Sequence, residues 1–422
     1  MILNRARTFG QLILLVIGML AIQVSASATA QDQGPVTLLI HPTLYEATGG
    51  DGGLIGEFTE QTGIEVNVVT APSDQLREKA VIDYVAGTGR YDVATLQSAW
   101  MNDEVTSFLQ PLDEYVDQAG QDYDFDGIIA SLINVNTVSD RLVAMPFRGG
   151  TTMLYYRKDI LDDVGIDVPQ TMEELLAAAQ KVSSESDTAG LVIRGKPGFE
   201  MQQDFSRTLF AFGGSYLNED STECVLDEPA GVETIRFWSE LNQSAAAPAD
   251  MLSLGRDATI RLLQTGDAAM GIYFSPYYGR IVADVDPNLI GWALMPTAEG
   301  VEPGRGLNTL WSLAMDVSSS HKDAAWQLIQ WLSNSENQTT MAVEFANAPV
   351  RESVYQEPAF IEKNPMGEEW LAATAASDFD PTHARWPEMV DIISVELTAA
   401  LEGDQTPDQA AQDICRRIEP LL

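Results

Sequence analysis

Hydrophobic and polar positions along the chain follow two alternating periods. Val36 to Ile40 (VTLLI) is a short continuous apolar run, the mark of a buried strand. GEFTEQTGIEVNVVT (56–70) begins as a helical stretch and stops at Gly63, a residue that tolerates the left-handed backbone of a helix end. Ile64, Val66 and Val68 then alternate with Glu65 and Asn67, the period of a strand. Strand, helix, strand is the opening of a parallel α/β sheet. Further strands are predicted at YDVATL (91–96), RLVAMPF (141–147), TTMLYYR (151–157), GLVIRG (190–195), AAMGIYF (268–274), WALMP (292–296) and LWSLAMDV (310–317). Helices are predicted between them. Thr171 and Glu174 form a capping box before ELLAAAQKV, and Gly213 stops QQDFSRTLFAFGG. ATIRLLQTG precedes the strand at 268. Ala325, Leu328, Ile329 and Leu332 share one face behind a Ser320/Asp323 cap, Ser335 and Gln338 cap the next helix, and Thr406, Pro407 and Gln409 open the last. Strands and helices alternate in both halves without repeats, which predicts two α/β lobes rather than one large sheet.

The N-terminus stands outside this pattern. Arg5 and Arg7 precede the apolar run LILLVIGMLAI (12–22), and Ala28-Thr29-Ala30 offers a small-x-small cleavage site. That is the layout of a secretory signal peptide over residues 1–30. The apolar run is short for a membrane span, and no cysteine near the cut argues for a lipid anchor. The chain is therefore expected to be exported, soluble and periplasmic, starting near Gln31. Its net charge of −38 repels nucleic acid and anionic lipid, so neither is expected as a partner. An acidic, Lys-poor surface fits both a saline exterior and plain solubility.

Two cysteines, Cys224 and Cys415, face an oxidising compartment. A disulfide between them is open. So is a buried thiol, since Cys415 shares a helical stripe with Ala411, Ile414 and Ile418. Three histidines lie far apart in sequence, and no HExxH, GxSxG, phosphate loop or dinucleotide fingerprint is present. A binding protein, without cofactor or metal, is expected rather than an enzyme. Two leads point elsewhere. DYDFDG (122–127) matches the first half of a calcium loop, but Ile133 stands where the bidentate Glu belongs, so an acidic structural loop is the reading. Tyr277-Tyr278 could chelate ferric iron, with one packed and one exposed tyrosine as the plainer alternative.

What remains is a set of aromatic and arginine residues at predicted strand ends and loops. Trp100 follows YDVATL, Arg148 follows LVAMPF, and Arg194 and Phe199 fall in RGKPGFE. Tyr273 ends AAMGIYF, Trp311 sits in GLNTLWSLAM, and Arg385 and Trp386 lie in ARWPEM. His41, Tyr45, Asn308 and Arg351 complete the candidate ligand-binding set. In α/β sheets ligands bind beyond the carboxyl ends of strands. Aromatic faces suit the CH-rich face of a sugar or polyol, while Arg, Asp and Asn bond its hydroxyls.

GEFTEQTGIEVNVV resembles an element near the N-terminus of extracellular solute-binding proteins of ABC importers, the maltose-binding-protein-like family. RYDVATLQSAW, LVAMPFRGGTTMLYYRKDILDDVGIDVPQTMEELLAAAQKV, GDAAMGIYF, ANAPVRESVY and AALEGDQTPDQAAQDI resemble later elements of that family in order, over nearly the whole chain after residue 30. The Arg-Gly-x-x-Gly-aromatic stretch RGKPGF is similar to members that take up polyols or small sugars, which usually carry Trp where Phe199 stands. The resemblance implies a two-lobed periplasmic-binding-protein fold of class II, with ligand in the cleft and three interlobe crossings. These are placed near Phe147 to Met153, Trp292 to Pro296 and Phe345 to Pro349. One lobe then holds 31–148 and 297–345, the other 149–296 and 346–422. It also implies a monomer that captures a sugar or polyol by hinge closure and delivers it to membrane permease subunits. A ferric-ion carrier of the same fold and a secreted carbohydrate hydrolase are the alternatives.

Overall fold

The computed structural model describes residues 34–422. The expected signal peptide, residues 1–30, lies outside the described residues. Eleven strands are described: β1 (Val36–Ile40), β2 (Val66–Thr70), β3 (Val93–Gln97), β4 (Thr137–Val138), β5 (Arg141–Leu142), β6 (Met145–Gly150), β7 (Thr152–Arg157), β8 (Ala189–Val192), β9 (Ala268–Phe274), β10 (Ile290–Leu294) and β11 (Thr309–Met315). They form a five-stranded sheet in the order β2-β1-β3-β11-β6, a four-stranded sheet in the order β10-β7-β9-β8, and the small pair β4-β5.

In the first sheet β1 runs parallel to β2 and β3, while β11 is antiparallel to both β3 and β6. The alternation of β1 decides its packing. Val36, Leu38 and Ile40 enter one core with Phe58, Leu313 and Leu328, and Leu39 enters another with Leu76 and Leu96 on the opposite face. Helices cover both faces, so the strand reads as a continuous apolar run. In the second sheet β8 and β9 are parallel and β7 is antiparallel to β9 and β10. All seven residues of β9 are buried. Gly63 ends the helix Leu54–Thr62 at φ 76°, in the left-handed region where a Cβ is disfavoured.

The chain passes from the first sheet to the second between β6 and β7, with Thr151 alone between them, and returns between β10 and β11. The connecting segments lie side by side. Thr151 and Ser377 share a hydroxyl hydrogen bond of 3.1 Å, the Leu307 amide donates to Thr152 Oγ1 at 3.0 Å, and the Gly149 amide donates to the Ala348 carbonyl at 3.1 Å. A third core joins residues near both sheets, including Leu132, Tyr155, Leu310, Val350 and Trp370.

The capping boxes at Thr171/Glu174 and Thr406/Gln409 are both formed. Two other caps differ from expectation. The helix Lys322–Ser333 is entered through His321 with no side-chain cap, so Ser320 is not its cap; Ser319 and His321 on either side of it both bond Asp92. The helix Ser335–Glu344 is capped by Asn334, one residue before Ser335, whose side chain accepts from the Asn337 amide at 2.8 Å. Gln338 instead turns inward and donates to the carbonyls of Phe147 and Leu332.

Cys224 and Cys415 are disulfide-bonded, with Cα atoms 5.2 Å apart and a sequence separation of 191. Of the two alternatives the residues left open, this is the bridge. Closing so long a loop restricts the unfolded chain by about 5 kcal/mol in the chain-entropy picture. It ties the helix Pro407–Ile418 to the second sheet's own core.

Gly190 on β8 lies directly beneath the helix Met172–Glu185, where a Cβ would stand 2.0 Å from the Ala179 carbonyl oxygen. Gly190→Ala is therefore expected to lower stability by about 1–3 kcal/mol or more, read as a fall in denaturant midpoint. An unchanged midpoint would refute this close helix-on-strand contact.

Candidate functional site

A cavity of about 410 Å³ opens between the two sheets, with a small recess beside it. Its first wall is built at strand ends of the first sheet. β1 ends at Ile40 and delivers His41, and β3 ends at Gln97. In the sheet register Gln97 pairs with Trp311 on β11, and Trp311 pairs with Arg148 on β6. These three neighbours form one row across three strands, and all three line the cavity. The register of β11 against β6 shifts between Trp311 and Ser312, an irregularity of the kind that re-aims a side chain. The indole of Trp311 is braced by His41 and Trp100, each with its ring centroid 5.3 Å away.

The second wall comes from the second sheet. β8 runs out towards Arg194, β9 ends at Phe274 and leads to Pro276 and Tyr277, and the helix Phe199–Ala211 presents Phe199, Glu200 and Gln203 from its first turns. Phe199 is 62% exposed, an apolar ring held open to solvent at the cavity. His41 and Gln97 on the first wall, and Arg194 and Tyr277 on the second, thus sit at or beyond the carboxyl ends of the parallel strands β1, β3, β8 and β9, where ligands gather in open α/β sheets.

Beneath the second wall lies a buried ionic cluster. Asp204 Oδ1 accepts from Arg194 Nε at 2.8 Å and Nη2 at 2.6 Å, and also from Arg207 Nη1, while Oδ2 accepts from the Arg194 backbone amide at 2.6 Å. Arg194 Nη1 completes its set with Glu200 at 2.7 Å and Gln203 at 3.1 Å. Burial works against the Arg194 charge, but Asp204 and Glu200 outweigh it and its pKa is raised. Arg207 has less support. Burial pulls its pKa down to about 10, its guanidinium lies 4.1 Å from the centre of the Phe274 ring, and Nε and Nη2 are buried without partners.

The recess adds Asn308 and Asp380. Asn308 donates to the carbonyls of Thr374 and Ser377, leaving a buried Oδ1 without a partner. Asp380 Oδ1 accepts from Ser206 at 2.6 Å and Gln202 at 2.9 Å. Burial pushes the Asp380 carboxyl up to about 6, against the pull of those two bonds and of Arg207. A carboxyl raised in the folded state contributes stability below its unfolded value near 4, and that contribution is lost as pH rises through about 6. Asp380→Asn should therefore raise the denaturant midpoint at pH 7.5, by a change of order 1–2 kcal/mol, and leave it nearly unchanged at pH 4. Equal midpoints at both pH values would contradict this environment.

Of the twelve candidates, the structure gathers six at the cavity and recess: His41, Arg148, Arg194, Phe199, Asn308 and Trp311. Trp100 sits behind Trp311 as its edge-on support. The other five lie elsewhere. Tyr45 donates to Asp51 at 2.5 Å. Tyr273 is wholly buried against Tyr155, because β9 alternates and it is the next residue, Phe274, that reaches the cavity. Arg351 is buried and donates to the carbonyls of Ser333, Tyr123 and Asp124, which makes it the anchor of the DYDFDG loop. Arg385 is exposed and pairs with Glu388. Trp386 is buried in the second sheet's core, 4.8 Å from the Tyr216 ring.

Gln97, Gln203, Arg256 and Tyr277 line the cavity without having been singled out as ligand contacts. Gln97 directly follows YDVATL, so the rule that pointed to Trp100 applied equally to it. Tyr278 is buried against Tyr155 and Trp292, so only Tyr277 of the tyrosine pair lines the cavity. Among the described residues no group of three or more His, Cys, Asp and Glu side chains is placed to hold a metal ion, and no helix is long and apolar enough to cross a membrane.

Residues 47–339 match the bacterial extracellular solute-binding protein family, and the chain belongs to it. A probable amino-acid ABC transporter periplasmic-binding protein of Sinorhizobium fredii is 24% identical over 87% of this chain and 84% of its own. The erythritol/L-threitol-binding protein of Mycolicibacterium smegmatis is 26% identical over 72% of this chain and 68% of its own. Among solved structures, maltose-bound MalE3 of T. maritima superposes with a TM-score of 0.77 at 26% identity, covering 92% of this chain and 100% of that one. The fold is that of the MalE-like periplasmic binding proteins, two-lobed with a cleft between the lobes, and the chain is an ABC-transporter solute-binding protein.

Proposed function

We propose that the protein is exported to the periplasm as a soluble monomer, captures a sugar or polyol in the cavity between the sheets, and delivers it to membrane permease subunits. The observation that carries this reading is the pair of facing walls. The row Gln97–Trp311–Arg148 on one sheet stands across a single cavity from Phe199, Gln203 and Tyr277 on the other. Aromatic faces and amide or hydroxyl groups from both sides match an alternating CH and OH surface. A solute touching both walls binds the closed arrangement better than the open one and shifts the population towards it. Relatives named for tetritols and for maltose lend support. The lobes proposed are 31–148 with 297–345 and 149–296 with 346–422. Cleavage after Ala30 would show as intact mass.

The chain is proposed to act without chemistry of its own. A glycosidase would need two carboxylates flanking its substrate, and Glu200 is held by Arg194. A ferric carrier is disfavoured because Tyr278 packs inward. A thermal-shift screen over sugars, polyols, their acidic derivatives and ferric ion tests the reading. At a hundredfold excess over Kd a cognate solute adds about 2.7 kcal/mol. That corresponds to a rise of about 2–4 °C. A response to ferric ion alone would overturn it.

A further inference from the structure

Among the described residues, Arg148 is the cation of this cavity that is left uncompensated. Three arginines line it. Arg194 is saturated by Asp204, Glu200 and Gln203. Arg256 pairs with Asp257 at 3.0 Å. Among the described residues, Arg148 has no carboxylate within ion-pairing distance and no hydrogen-bond acceptor for its guanidinium, in a chain whose net charge is −38. Acidic side chains are abundant, yet among the described residues none comes to it. Among the described residues the one carboxylate lining the cavity itself, Glu200, is taken by Arg194, and Asp380 lies in the recess, bonded to Ser206 and Gln202.

The neighbours of Arg148 also keep its charge in play. His41 is partly buried and its pKa is lowered, first by that burial and then by Arg148, so it stays a neutral hydrogen-bonding partner at neutral pH. Arg148 is itself partly desolvated, which lowers its pKa without removing its charge near neutrality. A partly desolvated guanidinium with five free donors is an open half of a bidentate ion pair.

We propose that the solute carries an anionic group, a carboxylate or a phosphate, which Arg148 receives at the end of the row Gln97–Trp311–Arg148. This rests on the cavity being a carbohydrate site and narrows its class to sugar acids, aldonates or sugar and polyol phosphates. Trp311, adjacent in the register, covers the carbon skeleton, and Asn308 Oδ1 and Asp380 in the recess accept from hydroxyls at the far end. The overall negative charge disfavours anions at a distance, but salt screens it beyond about 8–10 Å, so recognition is local.

Calorimetric titration of the purified protein against matched pairs tests this. Glucose is set against glucuronate and glucose 6-phosphate, and mannitol against mannonate and mannitol 1-phosphate. The acidic member of a pair is expected to bind at least about thirtyfold more tightly than its neutral partner. Which acid binds separates carboxylate from phosphate. Arg148→Gln should abolish that preference while leaving the thermal midpoint of the unliganded protein within a degree or two. A neutral member binding as well as its acid, or a preference that survives Arg148→Gln, overturns the anionic reading and leaves the carbohydrate reading standing. No binding by any member of either kind overturns both.

Discussion

Asp204→Ala is expected to be among the most damaging single substitutions in the chain, lowering stability by about 3–5 kcal/mol. The aspartate is 1% exposed and is the counter-charge for two buried guanidinium groups at once. Removing it leaves Arg194 with Glu200 and Gln203 only, and leaves Arg207 with the Ile272 carbonyl and the face of Phe274. A carbonyl and a ring face cannot compensate the Arg207 charge held out of water, and Arg194 keeps one counter-charge in place of two. Asp204→Asn keeps acceptor geometry but not the charge and should fall between. Denaturant midpoints of the three proteins decide it; a loss below about 1 kcal/mol for Asp204→Ala would mean that the cluster is solvated. The same substitution should blur the cavity wall, because Arg194 is positioned by Asp204 through both its backbone amide and its side chain.

The second large effect concerns affinity. Trp311→Ala is expected to weaken solute binding by about 2–4 kcal/mol, the range of a central aromatic anchor. Trp311 lines both cavity and recess and is held upright by His41 and Trp100. It is only partly buried in the unliganded protein, so its loss should lower stability less than that of a core indole. Trp238 supplies the comparison. It is wholly buried, touches Phe205 edge-on and donates to Thr208 Oγ1 at 2.8 Å. Trp238→Ala should cost about 3–5 kcal/mol of folding stability. If Trp311→Ala loses as much stability as Trp238→Ala and still binds normally, Trp311 is a core residue and the cavity has been misread.

The local signals were legible in sequence, and the tertiary ones were not. Thr171 with Glu174 and Thr406 with Gln409 are complete within four residues, so their boxes could be read directly. Asn334 and Ser335 are both good caps side by side, and the choice between them depends on whether Gln338 is free to reach back; buried bonds to Phe147 and Leu332 prevent it. Tyr273 and Phe274 illustrate a one-residue ambiguity. Both end the same apolar strand, and which one faces the cavity is set by which face of β9 is covered, a fact that no local pattern contains. Arg351 and Trp386 are polar or aromatic residues at the right kind of position in the chain. Their fate depends on distant partners, the carbonyls of 123, 124 and 333 for one and Tyr216 for the other. Six candidates still converge on the cavity and its recess, where the carboxyl ends of β1 and β3 meet those of β8 and β9.

The most direct test of the central claim is hydrogen–deuterium exchange with and without a solute found by the screen. A solute bridging the two walls should slow exchange on both at once, around 41–45 and 97–100 on the first wall and around 199–204 and 275–278 on the second. Slowing confined to one wall, or centred instead on the separate surface depression lined by Phe58, Gln330 and Trp331, would contradict capture between the sheets.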